Sequence, residues 1–205
     1  MKRKLLLFLL WLVVIALPVL GQEKLYPIRG NQNIPVIFTP DRSAVVVEKA
    51  FQHRLTVGHS TDDRASVADT RAPIITLWLR VQNVSQRPMR VDITKFTSTD
   101  EQGRMYSALS VEEAAKRILA DDSDGSIGSR TLRGISLGKA GNRPTDEQVK
   151  DDIVRYSLHS GDIAAGATKE GLIYFERPPQ KKFTLRVVLG DLWSQPLLFS
   201  TEKQK

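Results

Sequence analysis

The sequence predicts a mainly β protein, an antiparallel β-sandwich carrying two helices in one insertion. Three observations predict it. Apolar and polar residues alternate through several short runs, and turn-forming clusters separate those runs. Helical spacing replaces the alternation only between Ser110 and Ser160.

The N-terminus stands apart from that domain. Met1–Lys4 is basic, Leu5–Leu17 is unbroken apolar sequence, and Pro18 precedes the short stretch Val19-Leu20-Gly21. This is the order of an export signal, and cleavage is expected after Gly21, leaving Gln22 first. The apolar run of 13 residues falls short of the roughly 20 that a spanning helix needs. No stable membrane span is therefore expected after cleavage; the alternative is an uncleaved segment anchored in the inner membrane. Gln22 is not cysteine, so lipid attachment there is excluded.

Removing Lys2, Arg3 and Lys4 takes three charges from the net +7 and leaves +4, weak attraction for a polyanion. The chain has no cysteine, so an exported form relies on packing rather than disulfides. Hydrophobic residues make up 41% of it, enough for one core. The combination reads as a bacterial envelope protein, periplasmic or extracellular.

Residues 22–40 form an extended lead-in arm. It is punctuated by Pro27, Gly30, Pro35 and Pro40, with one edge strand at Val36-Ile37-Phe38. The domain proper spans 41–205. Strands are expected at Val45–Val47 and Arg54–Val57, with a polar loop over Gly58–Pro73. In Ile74–Val84 the residues Ile75, Leu77, Leu79 and Val81 share one face; Thr76, Arg80 and Gln82 share the other. Met89–Phe96 repeats the alternation, and Asn83–Pro88 lies between as the turn of a predicted hairpin. The phase slips before Phe96, which predicts a bulge or strand end. Asp100–Gly103 is a turn, and Arg104–Leu109 a further short strand.

The helical insertion covers 110–160. Ser110 and Glu113 form a capping box ahead of Val111, Ala114, Ala115, Ile118 and Leu119, which share one helix face. Asp121–Arg143 is rich in glycine, serine and charge and reads as a loop. Thr145 and Gln148 form a second capping box, followed by Val149, Ile153 and Tyr156. Lys169–Glu176 is apolar on both faces and is expected to be a central strand. Phe183, Leu185, Val187 and Leu189 alternate next; Gly190–Pro196 turns the chain before a last strand at Leu197–Phe199.

No catalytic residue, cofactor site or metal site is assigned. Asp121-Asp122-Ser123-Asp124-Gly125 begins like a calcium loop, but Ala120 and Thr131 stand where oxygen ligands belong, so an acidic turn is expected. Gly134–Lys139 is one residue short of a phosphate loop, and Ala140 replaces its hydroxyl. His53, His59 and His159 lack ligand spacing. The carboxylates Glu112-Glu113 and Asp151-Asp152 are helix neighbours pointing apart rather than acid/base couples. Arg130, Arg133, Lys139 and Arg143 place four cations in one loop without an aromatic among them. With 7% aromatic residues in the chain, nucleic acid is an unsuitable partner. Trp78 is the apolar exception on the polar side of its strand. Covered by the helices it forms a second small core, and exposed it marks a contact surface.

Ile74–Phe96, with its Val-Gln-Asn-Val-Ser ending, and Ser160-Gly-Asp-Ile-Ala-Ala-Gly followed by Thr168–Glu176, TKEGLIYFE, carry a resemblance. The chain resembles the secreted immunoglobulin-like domains of bacterial envelope proteins, a group that includes a mycobacterial secreted antigen. The resemblance implies an immunoglobulin-like β-sandwich and no catalytic residues. The insertion 110–160 departs from the compact members. The expected function is an exported, non-enzymatic binding or assembly module meeting an envelope protein or anionic envelope polymer. Its expected contact region is Arg130, Arg133, Lys139, Arg143 and Trp78. The alternative is a periplasmic small-ligand or metal-binding protein.

Overall fold

The alternation of Ile74–Asn83 (β5) becomes two cores. Ile75, Leu77, Leu79 and Val81 are buried on one face in the main core, and Ile74 is buried on the other in a second cluster. The structure, a computed structural model, describes residues 25–29, 36–59, 74–123 and 146–202. The signal-like segment, the Gly58–Pro73 loop beyond His59 and most of the Asp121–Arg143 loop lie outside them.

Two five-stranded antiparallel sheets organise the described residues. The first runs in the order Thr168–Glu176 (β10), β5, His53–Gly58 (β4), Ala44–Lys49 (β3) and Ile37–Phe38 (β2). The second runs Tyr26–Pro27 (β1), Trp193–Ser200 (β12), Thr184–Leu189 (β11), Phe96–Thr99 (β7) and Met105–Ser107 (β8). Val45, Val47, Leu55 and Val57 of the first sheet join Phe96, Leu185, Val187, Leu189 and Phe199 of the second in one apolar cluster. Burial of each such side chain is worth about 1.5–3 kcal/mol, so this shared face is the main source of stability.

Met89–Phe96 is not the hairpin partner of β5. Both edges of β5 are occupied, with His53 opposite Asn83 on β4 and Glu176 opposite Ile74 on β10. Met89–Val91 (β6) pairs instead with Gly161–Ile163 (β9) as a separate ribbon. The diversion has two causes. The buried Asn83 side chain gathers the connection into a compact loop by donating to Arg87 O. Asp92 then accepts from Thr94 N and starts a 3-10 turn at Ile93–Lys95, the source of the phase slip before Phe96.

Strand β10 is buried on both faces but lies at the margin of its sheet rather than at its centre. Its second face is covered by helices, and its free edge is closed by irregular chain. Leu109 N donates to Tyr174 O and Leu158 N to Leu172 O, each at 2.8 Å. Strand β12 begins at Trp193, not Leu197. Pro196 is accommodated because the register shifts there: Val187 faces Leu197 while Leu189 faces Trp193. The arm also holds a strand unmarked by alternation, β1, paired with Ser200 and Phe199.

The first helix, Val111–Ser123 (α1), opens on the predicted capping box. Glu113 N donates to Ser110 Oγ, and Ser110 N to Glu113 Oε2. The helix runs on through Asp121, Asp122 and Ser123, so these residues form its last turn rather than an acidic turn beyond it. The second helix is Asp146–Tyr156 (α2); Thr145 of its expected cap lies outside the described residues. Ala114, Ala115, Ile118 and Ile153 pack with Ile74, Leu172 and Tyr174 in the second cluster, and Trp78 is half-buried against it.

Several carboxylates hold turns in place. Asp100, almost completely buried, accepts from Gln102 N, Arg104 N, Arg104 Nε and the Tyr106 hydroxyl. Burial alone pushes its carboxyl up, and these donors outweigh it, so the net shift is downward. Thr39 and Ser43 bring Asp41 down to about 2, and Ser110 lowers Glu113. Groups lowered on folding contribute stability above their unfolded values, near 4, and lose it as pH falls through the folded ones. Urea midpoints should therefore fall steeply below about pH 4. A midpoint flat from pH 5 to 2 would contradict the assignment.

Candidate contact site

One end of the two sheets is built from five connections tied to each other by named hydrogen bonds. At its centre is Asn83, fully buried, with Nδ2 donating to Ile163 O at 3.0 Å, Ala164 O at 3.1 Å and Arg87 O at 2.8 Å. Its Oδ1 accepts from Ser85 N and from the Ser85 hydroxyl, and its own N donates to Ala167 O. One side chain thus holds the β5–β6 and β9–β10 connections together.

The β3–β4 hairpin joins this cluster through Gln52 O, which accepts from Val84 N and Ser85 N. The β11–β12 turn joins it through His53 Nε2, 2.8 Å from Leu192 O, and through Lys49 Nζ, which donates to Asp191 O. The 3-10 turn joins through Lys95, whose Nζ lies 2.6 Å from Asp191 Oδ2. His53 is buried, and its ring is held by a backbone carbonyl as a structural latch.

The tip of the β3–β4 hairpin is unusual. Its turn closes with Gln52 N donating to Lys49 O, and both central residues have positive φ: Ala50 at 23° and Phe51 at 60°. That backbone is the primed turn that suits a right-twisted hairpin, normally made with Asn-Gly because a Cβ is disfavoured there. Here it carries alanine and phenylalanine, and the Phe51 side chain is 94% exposed. Val84, on the neighbouring connection, is also exposed. The hairpin turn contains no glycine, asparagine, aspartate or proline, so sequence reasoning found strands on either side of it and no signal in it.

Burial pushes His53 below the ordinary imidazole range; the Leu192 carbonyl opposes this and Lys49 adds to it. A base whose folded value is depressed favours folding while neutral. Its contribution is full above about pH 6.5, the unfolded value, and is lost as pH falls from there. His53→Gln keeps an N–H that can meet Leu192 O and removes the titration. The decline in Tm between about pH 6.5 and 5 should disappear in that variant. An unchanged slope would rule His53 out as its source.

The other sequence candidates among the described residues do not converge. Arg130, Arg133, Lys139 and Arg143 lie outside the described residues, as do Gly134–Lys139. Trp78 sits against the helices, away from the Asn83 cluster. His59 stacks edge-on with Tyr26 at the opposite end of the sheets, and exposed His159 holds Val154 O. Among the described residues no three His, Cys, Asp or Glu gather to hold a metal ion. No described helix is long and apolar enough to cross a membrane.

No family model matches the chain, and no curated protein matches it. Among solved structures, the crystal structure of the YjhA protein from Bacillus subtilis is similar over 72% of this chain and 79% of that chain. The identity is 12% and the TM-score 0.35. A likeness that distant bears on neither activity nor partner.

Proposed function

We propose that the protein is an exported, non-enzymatic binding or assembly module of the bacterial envelope, built as an immunoglobulin-like sandwich. The strand order supports the fold reading. The β4–β5–β10 and β7–β11–β12 neighbours match the A–B–E and C–F–G order of that fold, and the chain at Leu109 and Leu158 lies along the β10 edge where its D strand would pair. The observation that carries the binding reading is Phe51. At the Asn83 end, the polar side chains Asn83, His53 and Ser85 hold backbone groups, and Lys95 holds Asp191. Among the side chains this end exposes is an aromatic one on a turn whose backbone disfavours it. Backbone strain maintained around an exposed side chain supports a functional role for it.

The double substitution Ala50→Asn with Phe51→Gly tests this. It supplies the residues the turn geometry prefers and should stabilise the fold by about 1–2 kcal/mol, read by urea denaturation. It should also abolish partner recovery in cells. Stabilisation with undiminished recovery would show that Phe51 has no binding role.

A further inference from the structure

We infer that Phe51 is an anchor that enters an apolar socket with an acidic rim on a protein partner. The inference rests on the binding reading above and names the partner's chemistry. The tip is pre-ordered: Gln52 is hydrogen-bonded through both N and O, so little backbone freedom is lost when Phe51 is captured. A rigid aromatic at the centre of a contact is the kind of residue that dominates a protein interface.

A bilayer is the poorer occupant. Even a single myristoyl chain binds a membrane only marginally, and one phenylalanine beside one valine presents less apolar surface than that. The flanking cations do not make up the difference. Lys95 is paired with Asp191, Arg54 with Glu48, and Lys49 holds Asp191 O. Arg87 is different. It is exposed, its carbonyl is held by Asn83, and its side chain makes no ion pair among the described residues. An unpaired cation on the connection whose Val84 N and Ser85 N hold Gln52 O calls for a carboxylate on the socket's rim. The direction of the chain agrees. Strand β1, where the arm enters, pairs with Ser200 at the far end of β12, while the tip lies at the Trp193 end. The two ends are about 20 Å apart at roughly 3.3 Å per residue, so Phe51 lies at the end of the sheets opposite β1.

The experiment is photo-crosslinking in the native cells from a benzoylphenylalanine placed at exposed Gln52 in the full chain. A second copy of the experiment places the probe at exposed Val154 on α2. The expected result is one discrete protein adduct from position 52. Its yield should fall at least tenfold with Phe51→Ser and severalfold with Arg87→Glu, and should persist with Phe51→Trp. Each variant is checked for an unchanged urea midpoint. An adduct undiminished by Phe51→Ser overturns the anchor. Transfer of the probe to lipid, or flotation of the purified protein with phosphatidylglycerol vesicles that depends on Phe51, overturns the protein socket. An adduct from position 154 with none from position 52 overturns the tip assignment and leaves the binding module standing. No adduct from either position overturns both.

Discussion

Gly171→Ala should destabilise the protein by about 3 kcal/mol, a fall in Tm of roughly 6–12 °C for a chain of this size. Gly171 lies on β10, opposite Leu79. A Cβ there would stand 2.5 Å from Leu158 N and 2.7 Å from Leu158 Cα and Ser157 C. These are backbone atoms, so no rotamer change relieves the clash. Nor can the segment lift away freely, because Leu158 N donates to Leu172 O and Leu158 itself is buried in the main core. The substitution must therefore separate α2's exit from β10 and open the seam between the two apolar clusters. Gly166→Ala is the control. Gly166 has a positive φ of 74°, and a Cβ there would meet nothing within 4 Å, so only backbone strain opposes that change. It should cost about 1 kcal/mol. Urea denaturation of both variants separates the two causes. If Gly171→Ala costs no more than Gly166→Ala, Leu158 does not pack over the strand as described.

The same strand shows what alternation can and cannot reveal. Period-two patterning reports which faces of a strand are buried, so β4, β5, β11 and the edge position of β2 were readable from residues alone. It does not report who the neighbours are. Leu172, Ile173, Tyr174 and Phe175 are buried on both faces, which reads as a sheet centre; the second face is closed by helices rather than by another layer of strands. For the same reason β5 and β6 looked like one hairpin, since the pattern of each is satisfied by any partner with an apolar face. Helix α1 was readable at its start because a capping box is a local contact between Ser110 and Glu113. Its end was not, because Asp121-Asp122-Ser123 favours leaving a helix but does not compel it. The site was the least readable part. Asn83 looked like one more turn residue, and its burial depends on Ile163 and Ala164, far along the chain. Phe51 sits in a turn whose conformation contradicts its residue types, and no propensity argument predicts that.

Asn83→Ala should cost about 3 kcal/mol, and Asn83→Asp more. In the native protein the Asn83 amide stands between three carbonyls, those of Arg87, Ile163 and Ala164. With the side chain fully buried, water does not replace a lost donor at Asn83 itself, and the carbonyls most enclosed there stay unsatisfied at about 1–3 kcal/mol each. Alanine removes the donor. Aspartate keeps the shape and the acceptor for Ser85, but it places a second oxygen against the same carbonyls and a charge in a buried site. The order wild type, alanine, aspartate is therefore a statement about which way the amide faces, and thermal unfolding at pH 7 reads it directly. Aspartate matching wild type would mean that Nδ2 does not face the carbonyls. The consequence extends to the hairpin tip. Asn83 fixes the connection whose Val84 N and Ser85 N hold Gln52 O, so loosening it loosens the turn that presents Phe51. Partner recovery should fall in Asn83→Ala even at temperatures where the variant remains folded. Position 83 would then act on binding through order in the tip, without touching the partner.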